Sequence, residues 1–108
     1  MDLSTYQEIY VEEAHESMEE LQRQLARLEA GPLDHAGLEA AYRAAHTLKG
    51  DSATMGYDEL TALAHALETP LKQAAQEGLP LPTEFASTLK AALIRLEEAL
   101  ETLTLPQV

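Results

Sequence analysis

The sequence RAAHTLKGDSATMG, which runs from Arg43 to Gly56, combines a helical core pattern with an unusual polar face. His46 lies at the edge of the apolar stripe that this segment continues, and Arg43 and Lys49 stand three residues to either side on the same face. Gly50 follows one turn beyond the histidine. The stripe recurs every three or four residues, as on the buried side of an amphipathic helix, and consists of Leu38, Ala41, Tyr42, Ala45 and Leu48. The pattern predicts a helix that holds an imidazole at the edge of a core, between two cations.

Of the 108 residues, 45% are apolar, mostly leucine and alanine, which is typical of a helical bundle with a single core. The chain has no cysteine, so disulfide and thiolate chemistry are excluded and an oxidising compartment is disfavoured. The N-terminus lacks the features of a signal peptide, and no apolar run approaches the ~20 residues of a membrane span. We expect a cytoplasmic protein with one domain over residues 1–105 and the start of a linker or tail at residues 106–108. The start at Met1 and the linker-like end favour an amino-terminal fragment of a longer protein.

The formal net charge of −12 argues against nucleic acid and anionic membranes as partners, because both require clustered lysine and arginine. Only seven residues are cationic, and three of them, Arg43, Lys49 and Lys72, fall in the central third of the chain together with His46. The predicted site is therefore less negative than the rest of the protein, and a phosphoryl group would be stable there.

Apolar residues at helical spacing predict four helices: one over residues 4–29, one over residues 35–53 capped by Asp34 and ended by Gly56, a third from Asp58 and a fourth capped by Thr83. Short connections make neighbouring helices antiparallel, so the predicted fold is all-α, an antiparallel up-down-up-down four-helix bundle. Pro70 removes a backbone donor inside the third helix, where we expect a kink or a short break. The residues expected to face inward from the first helix are Leu3, Tyr6, Tyr10, Ala14, Met18, Leu21, Leu25 and Leu28.

The turn at Gly56 determines which residues of the second and third helices face each other. His46 is ten residues before the turn and Ala66 is ten after it, so Glu68 lies within reach of His46. His65 shares a face with Glu68, three residues away. A carboxylate that accepts the Nδ1 proton of an imidazole fixes its tautomer, leaves the Nε2 lone pair free as a nucleophile and stabilises positive charge on the ring. The spacing therefore predicts a nucleophilic histidine.

Lys49 could neutralise phosphoryl oxygens, and positioning and electrostatics account for most of the catalysis of phosphoryl transfer. A glycine inside a helix costs about 1 kcal/mol relative to alanine, and Gly50 either clears the space over the His46 ring or is a mere imperfection. On the residues alone, two other interpretations stay open: an ordinary surface histidine, and a metal site formed by His46, His65 and Glu68. The metal site is disfavoured because no two histidines are spaced i, i+4 and because Lys49 would repel a cation.

The motif His46-Thr47-Leu48-Lys49-Gly50, continued to Gly56, resembles the His-x-Leu/Ile-Lys-Gly…Gly signature of histidine phosphotransfer domains. The likeness includes the preceding Tyr-Arg-Ala-Ala, the pattern Leu63-x-His65-x-Leu67-Glu68 on the next helix and the glutamate-rich first helix, so it covers nearly the whole chain. The sequence is most similar to the amino-terminal P1 phosphotransfer domains of CheA chemotaxis kinases.

The resemblance implies a role for each residue of the predicted site. His46 would be the phosphorylated residue, at Nε2, and Glu68 its Nδ1 partner. Lys49 would stabilise the phosphoryl group, and His65 would support the network from a second layer. Gly50 would be the opening for an incoming active site.

The partners implied by the resemblance are the ATP-binding catalytic domain of a histidine kinase, which donates the phosphoryl group, and a response-regulator receiver domain, which accepts it on an aspartate. ATP and Mg²⁺ would be used by these partners, and the domain itself would bind no cofactor and no metal. The sequence has no nucleotide-binding signature, so we expect it to use no ATP alone and to serve as the phospho-accepting part of a histidine protein kinase. Arg43 and Gly50 are the residues expected to contact these partners.

Asp51 and Ala53 occupy positions where CheA relatives commonly have glycine, and Asp51 adds negative charge near the site. A stand-alone or hybrid-kinase phosphotransfer protein in a non-chemotaxis phosphorelay is therefore an alternative. An alternative of another class is a non-catalytic helical scaffold, which would explain the helices and the charge. It would not explain why a glycine, two cations and a His-Glu pair converge on one point.

Overall fold

The computed structural model describes residues 3–104, which form four α-helices without a strand. The predicted domain end at residue 105 and the predicted linker at residues 106–108 lie outside these residues. Consecutive helices pack against each other and the last packs back on the first, within 46 × 21 × 19 Å. The prediction of an up-down-up-down four-helix bundle is confirmed. The helices are α1 (Leu3–Ala30), α2 (His35–Met55), α3 (Asp58–Glu77) and α4 (Phe85–Thr104).

Both ends of α2 are fixed by the residues that the sequence indicated. The Asp34 carboxylate accepts a hydrogen bond from the backbone N–H of Gly37 at 2.8 Å, which satisfies one of the free donors of the first turn. At the other end Gly56 has φ 75°, a left-handed conformation that glycine adopts without strain. Because only residues 56 and 57 separate α2 from α3, the two helices form a tight antiparallel hairpin.

The core is a continuous cluster of leucine, alanine and a few larger side chains from all four helices. In α1 the predicted stripe is correct from Tyr10 onward, but Leu3 is 76% exposed and Tyr6 is 50% exposed. Tyr10 lies opposite Ser52, near the end of α2, so the first turns of α1 extend past the α2–α3 turn and have less surface to pack on. The expectation that Leu3 and Tyr6 face the core is therefore wrong.

Helix α3 continues through Pro70, so of the two predicted alternatives the short break is wrong, and the kink stays a prediction. Proline inside a helix costs about 3 kcal/mol, and the neighbouring core residues Leu67 and Leu71 are both fully buried. Burying two leucine side chains contributes about 1.5–3 kcal/mol each, which is enough to keep the helix continuous. Helix α4 begins at Phe85, with Thr83 in the preceding turn, so the predicted cap at Thr83 is also wrong.

Over residues 3–104, no helix is sufficiently long and apolar to cross a membrane.

Candidate functional site

The α2–α3 hairpin brings His46, Lys49 and Glu68 into direct contact. Nδ1 of His46 lies 2.7 Å from Oε2 of Glu68, and Nζ of Lys49 donates a hydrogen bond to Oε1 of the same carboxylate at 2.8 Å. The two donors are three residues apart on α2, so they reach both oxygens of one side chain on α3. The register predicted from the turn at Gly56 is therefore confirmed.

Glu68 is the buried member of this group and lies among the core residues of α3. Burial raises the pKa of its carboxyl, but the hydrogen bonds and positive charges of Lys49 and His46 lower it by more. The net result is a pKa below the ordinary value for glutamate, so the carboxylate is ionised at neutral pH. A buried carboxylate with both oxygens hydrogen-bonded has a fixed position, and it holds its two partners in place.

The ionised state of Glu68 determines the tautomer of His46. A carboxylate can only accept hydrogen bonds, so the short contact at 2.7 Å requires the proton to be on Nδ1. The lone pair of the neutral ring is then on Nε2. The side chain of His46 is 59% exposed, so an external group can approach the ring.

Tyr42 is a member of the site that the sequence placed only in the core stripe. Its ring centroid lies 5.8 Å from that of His46, with an angle of 32° between the planes. Tyr42 precedes His46 by four residues, so helical spacing alone could have identified this contact. The half-buried tyrosine restricts the movement of the ring on one side, while Glu68 holds Nδ1.

Gly50 leaves an open space on the exposed surface one turn beyond His46. Apart from its two chain neighbours and the backbone of its own helix, a Cβ placed on this glycine would have no atom within 4 Å. Its backbone is also not in the positive-φ region, which among the described glycines contains only Gly56 and Gly78. Neither backbone conformation nor packing inside the domain therefore requires glycine at position 50.

The structure does not bring His65 and Arg43 into the same group. His65 is exposed, and no hydrogen bond joins its ring to Glu68, whose two oxygens are occupied by donors from α2. The side chain of Arg43 is 79% exposed and lies 3.7 Å from Glu39 on its own helix. Arg43 also lines a groove between α1 and α2 that does not include His46, Lys49 or Glu68.

Asp51 faces α1 and has no hydrogen bond with His46. Its carboxylate lies near Glu13 and raises the pKa of that residue. Among residues 3–104, no three side chains of the types that ligate metals are grouped to hold an ion.

The sequence matches the family described as "Hpt domain" over residues 5–103. The chain is 34% identical over 103 residues to the chemotaxis protein CheA of Bacillus subtilis (strain 168), an alignment that covers 95% of this chain and 15% of the relative. It is 37% identical over 71 residues to the chemotaxis protein CheA of Rhizobium meliloti (strain 1021), covering 66% of this chain and 9% of that protein. The chain thus spans only a small part of the length of these relatives.

Two solved structures have the same fold over nearly the whole chain. The CheA phosphotransferase domain from Thermotoga maritima superposes with a TM-score of 0.86 at 27% identity, covering 97% of this chain and all of that one. The phosphorylated P1 domain of CheA3 in complex with CheY6 from R. sphaeroides superposes with a TM-score of 0.83 at 25% identity, covering 93% of this chain and 78% of that one. The chain therefore belongs to the Hpt domain family, and it is similar to the members of that family found in CheA proteins.

Proposed function

We propose that this domain carries a phosphoryl group on Nε2 of His46, between an ATP-bound histidine kinase domain and an aspartate of a response-regulator receiver domain. This proposal is supported by one arrangement of side chains. The buried, ionised carboxylate of Glu68 is hydrogen-bonded to Nδ1 of the exposed His46 imidazole, and Lys49 donates a hydrogen bond to its other oxygen. A surface histidine without a chemical role does not need a buried hydrogen-bond acceptor for its ring.

In the first step, the Nε2 lone pair of His46 attacks the γ-phosphorus of ATP. The N–P bond forms, the bond from the phosphorus to the bridging oxygen breaks, and ADP leaves with that electron pair. The ring keeps its Nδ1 proton and becomes positively charged. Glu68 stabilises this charge through the hydrogen bond that it already accepts, and no proton has to move.

In the second step, a carboxylate oxygen of the receiver aspartate attacks the same phosphorus. The N–P bond breaks and its electron pair returns to Nε2, which regenerates the neutral ring for another cycle. Lys49 lies one turn from His46 and provides positive charge for the phosphoryl oxygens in both steps.

The catalytic machinery for both steps would come from the partners. ATP and Mg²⁺ would be bound by the kinase and receiver domains, since the sequence has no nucleotide-binding signature. The similar P1 domain of CheA3 forms a complex with CheY6, which supports a receiver as one partner. We further propose that the chain is the P1 domain of a CheA-type kinase, supported by its similarity to CheA proteins, and that it works in the cytoplasm, supported by the absence of cysteine.

Incubation with γ-labelled ATP and a CheA-type kinase core tests the proposal. We expect label that is lost in acid and kept in alkali, because a phosphoramidate has this stability, and the label should move to an added receiver domain in the presence of Mg²⁺. Label that resists acid would indicate a phosphoester and would contradict the assignment to a histidine.

Replacing Lys49 by alanine should slow phosphorylation of His46 by about 10-fold or more, because the transition state loses a nearby cation. Lys49→Arg should recover most of the rate, since it preserves the charge. Initial rates of label uptake at fixed kinase concentration provide the measurement. If Lys49→Ala matches the wild-type rate, the ammonium group only positions Glu68 or has no role.

Replacing Gly50 by alanine should raise stability and slow transfer. The new methyl group contacts no other side chain or helix, and alanine is favoured over glycine inside a helix by about 0.5–1 kcal/mol. Transfer to a receiver should fall several-fold if a partner occupies this space. Chemical denaturation and transfer rates measure the two effects separately.

Gly37→Ala in the same helix is the matched control, because its Cβ would lie 2.9 Å from Oε1 of Gln24, and this variant should gain no stability. If Gly50→Ala transfers the phosphoryl group at the wild-type rate, the partner does not need the open space at Gly50, and the glycine has no role in docking.

A further inference from the structure

A cleft of about 150 Å³ lies between the N-terminal half of α1 and the C-terminal end of α2, and we call it the α1–α2 cleft. Part of its wall is apolar: Tyr6 is half exposed and Ile9 is 43% exposed, although both belong to a helix that packs on the core. The cleft therefore exposes apolar surface that the fold itself does not cover. Its lining residues are Tyr6, Ile9, Tyr10, Glu13, Asp51, Thr54 and Met55.

Two carboxyl groups face each other across the α1–α2 cleft without a cation between them. Asp51 raises the pKa of Glu13, because a protonated Glu13 carboxyl can donate a hydrogen bond to Asp51 and because the negative charge of Asp51 disfavours ionisation of Glu13. Oδ2 of Asp51 is shielded from solvent and has no hydrogen-bond partner in the described structure. No lysine or arginine is among the lining residues. When both groups are ionised, no cation of the cleft balances their charges, and Oδ2 of Asp51 has no hydrogen-bond donor.

An arginine side chain can bind to both the apolar wall and the carboxyl groups of the cleft. Its planar guanidinium has five N–H donors and can bond two carboxylates at once. Its aliphatic stem can pack on Ile9 and Met55, while the Tyr6 ring can contact the cation through its face. A metal ion fits less well, because only two acidic side chains line the cleft and no third ligand joins them.

The position of the α1–α2 cleft relative to His46 identifies the partner. Asp51 is five residues beyond His46 on α2, about 7.5 Å along the helix axis and about 140° around it, so the two side chains flank the exposed surface of the helix. A standard protein interface covers about 800 Å² on each partner, or a radius of about 16 Å around its centre. A receiver domain that brings its aspartate to Nε2 of His46 therefore also reaches the cleft, across the open surface at Gly50.

We propose that the α1–α2 cleft binds an arginine side chain of the receiver domain that takes the phosphoryl group from His46, so that Glu13 and Asp51 determine which receivers dock. This inference rests on the proposed function.

The test uses the full chain and a receiver domain that accepts label from phosphorylated His46. Calorimetric titration at two salt concentrations compares the wild type with the double variant Glu13→Gln/Asp51→Asn. We expect the dissociation constant of the double variant to rise about 10- to 100-fold, because a docked arginine loses both acceptors. Its affinity should also depend less on salt.

The matched control is Glu29→Gln/Glu77→Gln, which removes the same charge from exposed residues at the opposite end of the bundle. This control should change the dissociation constant less than twofold. An equal loss in the control would indicate a long-range charge effect and would overturn the proposal, as would an unchanged affinity in the double variant.

An alanine scan of the receiver's surface arginines completes the test. One arginine should be found whose loss is not additive with Glu13→Gln/Asp51→Asn, and a scan that finds none overturns the proposal. Label transfer reports on the proposed function separately. If the receiver is labelled but its affinity is insensitive to the double variant, only the docking inference fails, whereas failure to label any receiver from His46 overturns both.

Discussion

His46→Gln is expected to abolish phosphoryl uptake, with label reduced to the background of a reaction without kinase. The glutamine amide nitrogen has no basic lone pair, so it cannot attack phosphorus. Its N–H can still donate to Glu68, and the wild-type side chain is 59% exposed, so the bundle should keep its fold and its melting temperature within a few degrees. Acid and alkaline treatment of the labelled protein, together with circular dichroism of the variant, measures both expectations.

His65→Gln is the control for this experiment. His65 is exposed on the adjacent helix and is not hydrogen-bonded to Glu68 or His46, so this variant should take up label at close to the wild-type rate. Acid-labile label that survives in His46→Gln and disappears in His65→Gln would show that the wrong histidine was identified.

The contact between His46 and Glu68 could be predicted because a short turn fixes register. Gly56 ends α2 in a left-handed conformation that few other residues adopt, and α3 begins two residues later. Counting outward from such a turn pairs residues on the two helices to within about one turn. Glu68 is two residues beyond the position opposite His46, and its long side chain spans the difference.

The position of His65 could not be predicted in the same way. It lies three residues before Glu68, but in a helix of 3.6 residues per turn three residues correspond to a rotation of about 300°, not a full turn. The remaining 60° separate a carboxylate that faces α2 from a ring that faces solvent. Sequence spacing shows that two residues lie on the same side of a helix. It does not show which of two residues about 60° apart contacts the neighbouring helix and which faces solvent.

Two other features depend on packing that the sequence pattern does not contain. The helical period of α1 continues through Tyr6, but whether a residue is buried depends on whether a neighbouring helix extends that far. Continuity of α3 at Pro70 likewise depends on the burial of Leu67 and Leu71, which outweighs the cost of the proline. In both cases tertiary contacts override a local signal.

Glu68→Gln should slow phosphorylation of His46 by about 10- to 100-fold, the second largest effect that we expect at this site. The amide has nearly the same shape, and its oxygen can still accept a hydrogen bond from Nδ1–H of His46, so the ring stays in place. It carries no negative charge, so the positive charge that develops on the ring during attack loses its stabilisation. Because the single amide oxygen faces His46, the NH2 group faces the Lys49 ammonium, which loses its acceptor. Initial rates of label uptake at saturating kinase measure the change.

The pH dependence of stability separates this charge effect from a loss of structure. The folded pKa of Glu68 is below its unfolded value of about 4.3, so the ionised carboxylate stabilises the fold above that pH, and the contribution is lost as the pH falls through the folded value. Glu68→Gln lacks this contribution, so its melting temperature should fall below that of the wild type at pH 7 and approach it at pH 3. A variant that is equally destabilised at both pH values has lost packing instead. If its labelling rate also equals that of the wild type, Glu68 has no electrostatic role, and the exposed imidazole of His46 reacts without it.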